Sequence, residues 1–226
     1  MNLGIITSSV VDPNDDKRRM DSLDEWATTL VGGFALCGIS ASLTHNLQDE
    51  PLGFAYGMNC ALHDLLLQHS VPDYVLCIND DMHMPQKCID ELWKHRQEHL
   101  VVCPTTDYTS CPEQAATGPR FESPRRAAFV PAICWLMPMV MVMIAWRKLG
   151  KVENRRQLFA ERLGRAWYED NLTARIWQKL SDPLPFLIAP TAWAHHEGSR
   201  TSNAIPVEER AQAGLRFEGM CLELGL

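Results

Sequence analysis

The chain has 226 residues, 46% of them apolar and 22% charged. That balance fits one ordinary globular domain and excludes a disordered chain, a collagen and a coiled coil. The formal charge of −7 argues against a generally basic nucleic-acid coat.

The charge is uneven. Between Arg120 and Arg165 ten basic residues stand against three acids, so this segment is +7 and the rest of the chain −14. Such a run is either a solvated face or a surface for an anionic partner. The eight cysteines are irregularly spaced and include no C-x-x-C pair. They suggest neither a disulfide framework nor a zinc knuckle. No basic region followed by a long apolar stretch opens the chain, and a reducing, cytoplasmic setting is expected. Asn171-Leu172-Thr173 is formally a glycosylation sequon, without meaning there.

In chain order, strands are expected over 3–6, 41–44, 74–78 and 100–103. Helices are expected between them. The first, over 21–37, carries Leu23, Trp26, Leu30 and Phe34 at helical spacing. The second, over 53–69, places Leu62, Leu65 and Leu66 on one face, and the third, over 85–99, has Pro85 near its first turn. This alternation predicts a single α/β domain with a mostly parallel central sheet flanked by helices. The second half is less regular. Residues 107–126 are rich in Thr, Ser, Pro and Gly and read as a long, lid-like loop. The uncharged stretch from Ala127 to Trp146 is long enough to span a bilayer, but Pro131 and Pro138 interrupt it. It reads as a strand over 129–137 and a helix over 139–149, so no transmembrane segment is expected. Helices over 154–165 and 171–180, a strand over 186–189 and a short helix in the tail complete the expectation.

Four segments carry candidate chemistry. The apolar run from Tyr74 ends in Asn79-Asp80-Asp81. Parallel α/β sheets hold ligands at the carboxyl ends of their strands, and two carboxylates there either cap a turn or hold a hard divalent cation. Glu169 and Asp170 stand at an expected helix start, where acids either complement the helix dipole or serve as a general base, with Arg175 placed to orient the local charge. His195 and His196 follow an apolar strand. Adjacent side chains diverge, so at most one of them ligates a metal. Asn46, Gly53 and Asn59 bracket a helix start where glycine permits close approach to a ligand.

Taken together, these segments resemble the GT-A glycosyltransferases of family 2, in particular the rhamnosyltransferase-like group. The match runs through Asn46, Gly53-Phe54-Ala55, Asn59, Asn79-Asp80-Asp81 (a form of the D-x-D motif), Ala132 to Met137, Leu149-Gly150, Trp167 to Asp170 and a His before a Gly/Ser loop. It covers about residues 41–203. The resemblance implies a GT-A fold and a metal-dependent, inverting transfer of a hexosyl or pentosyl group from a UDP-, dTDP- or GDP-sugar to an acceptor hydroxyl. It divides the chain into a donor-binding half, 1–104, and an acceptor and base half, 105–226. It implies that Asp81 and one of His195 and His196 hold Mn²⁺ or Mg²⁺, and that Asn79 and Asp80 support the donor. Asp170 or Glu169 is then the base. Thr7 and Ser8 stand where the family's first strand carries an Asp and reads the nucleotide. Here Asp12, Asp15 and Asp16 come after that strand instead. The basic segment suggests an anionic acceptor: DNA with a hydroxylated base, a glycolipid or a glycan. The alternatives are a nucleotidyltransferase, which would need a Gly-rich, Arg-containing loop after the first strand, and a silent binding module, which would lack these carboxylates.

Overall fold

The computed structural model describes the chain except residues 11–15, 49–51, 69, 108, 116–122, 154, 165–167 and 198–205. The first half alternates regularly. β1 (Asn2–Val10), α1 (Asp16–Leu36), β2 (Ser40–Gln48), α2 (Phe54–Gln68) and β3 (Tyr74–Ile78) are followed by the short β4 (Met82–His83), α3 (Gln86–Lys94) and β5 (Val101–Thr106). Then come β6 (Arg125–Ala127), β7 (Cys134–Pro138), α4 (Met139–Glu153), a 3₁₀ turn (Glu161–Leu163), α5 (Glu169–Leu180), β8 (Phe186–His196) and α6 (Val207–Leu224).

The strands form one sheet in the order β2-β1-β3-β7-β5-β8-β4, with β6 also paired to β8. β1 runs parallel to β2 and β3, and β5 parallel to β8. β7 enters between β3 and β5 antiparallel to both, so the sheet is mixed where a mostly parallel one was expected. β3 explains its own position. All five of its residues are buried, and they alternate between two cores. Val75 and Cys77 face α2, α4 and α5, while Tyr74, Leu76 and Ile78 face α1 and α3. Trp135 of β7 fills the first core, 5.2 Å from the rings of Trp177 and Phe186, and its indole N–H donates to the Val130 carbonyl. α6 closes a third cluster with α4 and α5.

Three other expectations change. Residues 157–160 are not helical. Asn59 takes the amides of Leu158 and Phe159 and donates to the Phe159 carbonyl, while the Thr173 hydroxyl bonds the Leu158 carbonyl. Backbone groups bonded outward in this way cannot build an i→i−4 ladder. The expected loop over 107–126 contributes β6, on the edge of β8. β8 itself runs on to His196, its buried and exposed residues alternating from Ala192. The uncharged stretch is divided between β7 and α4, and among the described residues no helix is long and apolar enough to cross a membrane. All eight cysteines are free thiols.

Candidate active site

β1, β3, β5 and β8 end on the same side of the sheet, and β7 begins there. The amide of Asn79 donates to the Ile133 carbonyl at 3.0 Å, and Met82 N–H closes a tight turn onto the Asn79 carbonyl. Asp80 and Asp81 occupy that turn. β4 leaves it paired antiparallel with the end of β8, so that Met82 lies opposite His196 and His83 opposite His195.

Strand alternation separates the two histidines. His196 turns inward, 4% exposed, and its Nε2 lies 3.3 Å from Asp81 Oδ1. His195 turns outward: its Nδ1 meets Asp107 Oδ2 at 2.5 Å and its ring stacks on His83 at 5.9 Å. Asp107 also accepts the His196 amide at 2.9 Å, and Glu197 N–H donates to the Asp81 carbonyl. Burial alone would raise the Asp107 carboxyl. The hydrogen bonds from the His196 amide and the His195 ring outweigh burial and hold it below its usual range. Asp107 therefore clamps the strand that presents His196. It follows the end of β5, where α/β sheets place functional groups, and that position was its signal in the sequence.

Asp81 Oδ1 is buried and accepts no hydrogen bond among the described residues. Donor atoms of two ligands on one hard cation lie about 3 Å apart when each bond is ~2.1 Å, which is the spacing of Asp81 and His196. Among the described residues no group of three His, Cys, Asp or Glu side chains is arranged to hold a metal. Two protein ligands suit Mg²⁺ or Mn²⁺, which take one or two side chains and complete their shell with water and substrate phosphates. The donor set fits such an ion.

The other carboxylate pair lies close by. Asp170 Oδ2 accepts the amide of Ala132 at 3.1 Å, one residue from the carbonyl that holds Asn79. Its Oδ1 accepts the Asn171 amide at 2.8 Å at the start of α5. Tyr168, which precedes the pair, adopts a left-handed backbone (φ 71°), costly for a side chain of its size. Its ring stacks on Phe217 of α6, which supports this entry to the helix. Burial and the charge of Asp170 push the Glu169 carboxyl up to about 8. Burial also raises Asp170, against the two amides that favour its ionised form. Burial thus favours the protonated form of both acids, most strongly at Glu169, while two backbone amides favour the ionised form of Asp170.

The remaining candidates divide. Thr7 is fully buried, and its Oγ1 finds no hydrogen-bond partner among the described residues; the same holds for Asn46 Oδ1 and Asn79 Oδ1. These groups lie toward the carboxyl ends of β1, β2 and β3. Ser8 is half-buried and receives Gln48 Nε2 at 2.7 Å. Gly57 lets α2 settle on it, since a Cβ there would stand 1.9 Å from Ser8 Oγ. Gly53 opens α2 with φ 111°. Asn59 faces the other way: all its side-chain bonds go to residues 158–161, so it clamps the core rather than lining the strand ends. Arg175 is exposed on α5 and faces Cys221 of α6. Five residues along a helix is about 140° around it, which turns Arg175 away from Asp170. Ser9 and His45, which the sequence did not single out, lie against Asp80: Ser9 Oγ is 2.5 Å from Asp80 Oδ2 and 2.7 Å from His45 Nε2. Asp12, Asp15, Trp167 and the Gly198-Ser199 loop lie outside the described residues.

The basic segment is dispersed. Arg126 pairs with Asp182 at the start of β8, away from the site. Arg155 pairs with Glu161, and Arg162 with Glu223. Arg147, Lys148, Lys151 and Arg156 form no ion pair among the described residues, and Arg156 lies over the Trp146 ring. Arg120 and Arg165 lie outside the described residues.

No protein-family model matches the sequence, and no curated protein matches it. Solved structures match the fold. The catalytic domain of Drosophila beta1,4-galactosyltransferase 7 in complex with xylobiose superposes with a TM-score of 0.59 at 9% identity, over 94% of this chain and 79% of that one. A mutant of that enzyme in complex with manganese, UDP-Gal and xylobiose gives 0.54 at 10% identity, over 93% and 79%. GalNAc-T7 with UDP, GalNAc and Mn²⁺ gives 0.53 at 9% identity, over 96% of this chain and 48% of that one, so this chain spans about half its length. The chain has the GT-A fold of these glycosyltransferases.

Proposed function

We propose that this protein is a metal-dependent, inverting glycosyltransferase, similar to the rhamnosyltransferase-like group of family 2. It moves a sugar from a nucleoside diphosphate to an acceptor hydroxyl. One observation carries the reading: the Asp81–His196 pair and the Asp170 carboxyl stand at the same strand ends, joined through Ala132, Ile133 and Asn79.

Breaking a sugar–phosphate bond leaves positive charge on the anomeric carbon and negative charge on the departing diphosphate. Asp81 and His196 would hold Mn²⁺ or Mg²⁺, whose charge would stabilise that diphosphate. Asp107 keeps His196 in place. Asn46, Asn79, Asp80 and Thr7 offer polar atoms to the nucleoside and sugar; Ser8 and Gly53 shape the entry to α2 beside them. Asp170 takes the proton of the acceptor hydroxyl, and its two backbone donors fix its direction. In this reading residues 1–104 bind the donor, and 105–226 supply the base and the acceptor surface. Arg147, Lys148, Lys151 and Arg156 favour an anionic acceptor, whose binding would weaken steeply with salt.

The test is thermal stability against UDP-, dTDP- and GDP-sugars with and without Mn²⁺, followed by transfer to hydroxylated DNA, glycolipid and glycan acceptors. The expected result is stabilisation by one nucleotide that needs Mn²⁺ and disappears in Asp81→Ala, with transfer lost in Asp170→Asn. Metal-dependent binding without transfer to any acceptor would favour a silent binding module. No stabilisation by any nucleotide would remove the donor site.

A further inference from the structure

Two adjacent carboxylates end β3, and the structure treats them differently. Asp81 is presented to His196. Asp80 turns toward β1 and β2, where the Ser9 hydroxyl reaches its Oδ2 at 2.5 Å and His45 Nε2 reaches the same hydroxyl at 2.7 Å. Ser9 is 3% exposed, so this hydroxyl works away from bulk water. It has a single proton. Ser9 donates it to Asp80 Oδ2. His45 must then donate from Nε2 to the Ser9 oxygen, which sets its tautomer. The order is His45 N–H to Ser9 O–H to Asp80. Ser9 lies on β1, His45 on β2 and Asp80 in the turn after β3, and β1 is paired with both β2 and β3.

We infer that Ser9 and His45 are positioning residues for Asp80: they aim its carboxylate at the hydroxyls of a nucleotide-bound sugar and keep it apart from the Asp81–His196 pair. Parallel strands are rigid supports, and a hydrogen bond to a charged group holds a rotamer more firmly than a neutral one. The inference rests on the glycosyltransferase reading and adds to it the two residues, Ser9 and His45, that hold Asp80 in its orientation.

The experiment compares Mn²⁺-dependent binding of a nucleotide sugar and of its parent nucleoside diphosphate by calorimetry. The donor is whichever of the UDP-, dTDP- and GDP-sugars stabilises the wild-type chain. Ser9→Ala is expected to weaken the nucleotide sugar about tenfold, the size of one hydrogen bond to a charged group, and to leave the diphosphate within about twofold. Ser9→Thr, which keeps the hydroxyl, should restore the affinity. His45→Gln, which keeps an N–H donor, should stay closer to wild type than His45→Phe. In an Asp80→Asn background, Ser9→Ala should have no further effect on sugar binding, because the coupling runs through that carboxylate. A merely structural serine would lower the melting temperature and weaken both ligands alike. Equal losses for both ligands, or unchanged affinity for the sugar, would overturn the inference and leave the donor site standing. A wild-type chain that binds no nucleotide with Mn²⁺ would overturn the glycosyltransferase reading, and this inference with it. If Ser9→Ala does not fold, the His45 pair and Ser9→Thr still decide between these outcomes.

Discussion

Two pairs of neighbouring acids stand at the same end of the sheet, in opposite surroundings. Asp80 and Asp81 are half-buried, one against a hydroxyl and the other against an imidazole. Glu169 and Asp170 open a helix against the core, where both carboxyls are raised and two backbone amides favour charge on Asp170. Adjacent carboxylates repel in either place. The strand-end pair separates its charges onto different partners. The helix-start pair retains a proton. In the proposed function the first pair binds a cation and a sugar, and the second takes a proton.

The sharpest way to break this contrast is Asp170→Asn. Transfer should fall by about 10²–10⁴-fold while donor affinity stays unchanged. A loss of donor binding instead would move Asp170 out of the role of base. The next change is Asn59→Ala, which tests a residue of the resemblance that lies outside the contrast. It strands the amides of Leu158 and Phe159, so the melting temperature should drop with a destabilisation of about 2–4 kcal/mol, and donor affinity measured below that temperature should be unaffected. His196→Ala should weaken Mn²⁺ binding by about 10–100-fold, whereas His195→Ala, on the outer face of the same strand, should cost less than about threefold.

The pH dependence is subtler. Glu169 is raised to about 8 in the folded chain, against 4.5 ordinarily. Between those values the folded state holds a proton that the unfolded state has lost. Stability conferred by that proton therefore declines as pH rises through the window, at up to about 1.4 kcal/mol per unit. Urea denaturation at several pH values should show this slope, and Glu169→Gln should flatten it and be the more stable form at pH 8. A variant as steep as wild type would place the raised proton elsewhere.

The regular alternation of the first half was legible because apolar runs and helical stripes are local patterns. β3 matched its expected span over all five residues, and β1, β2, α2 and β5 were found with shifted ends. The second half was harder to read because its backbone bonds to distant side chains. Residues 157–160 look helical in isolation, but Asn59, about a hundred residues earlier, takes their amides. Arg175 looked close to Asp170 in sequence, and helical geometry turned it away. The strand ending at His196 carried a period-two alternation that was readable, but its polar residues resembled a loop.

The sequence by itself determined an α/β fold and which residues follow β3, because a buried apolar strand followed by Asn-Asp-Asp leaves those side chains at its carboxyl edge. It also reduced the two histidines to one candidate. Only the tertiary structure separated them: the antiparallel pairing of β4 with β8 sets His196 inward beside Asp81 and His195 outward onto Asp107. Only the tertiary structure brought Ser9 and His45 to Asp80, and Ala132 to Asp170. These contacts join residues 36 to 71 positions apart, and strand order and register, rather than local propensity, set which of them meet.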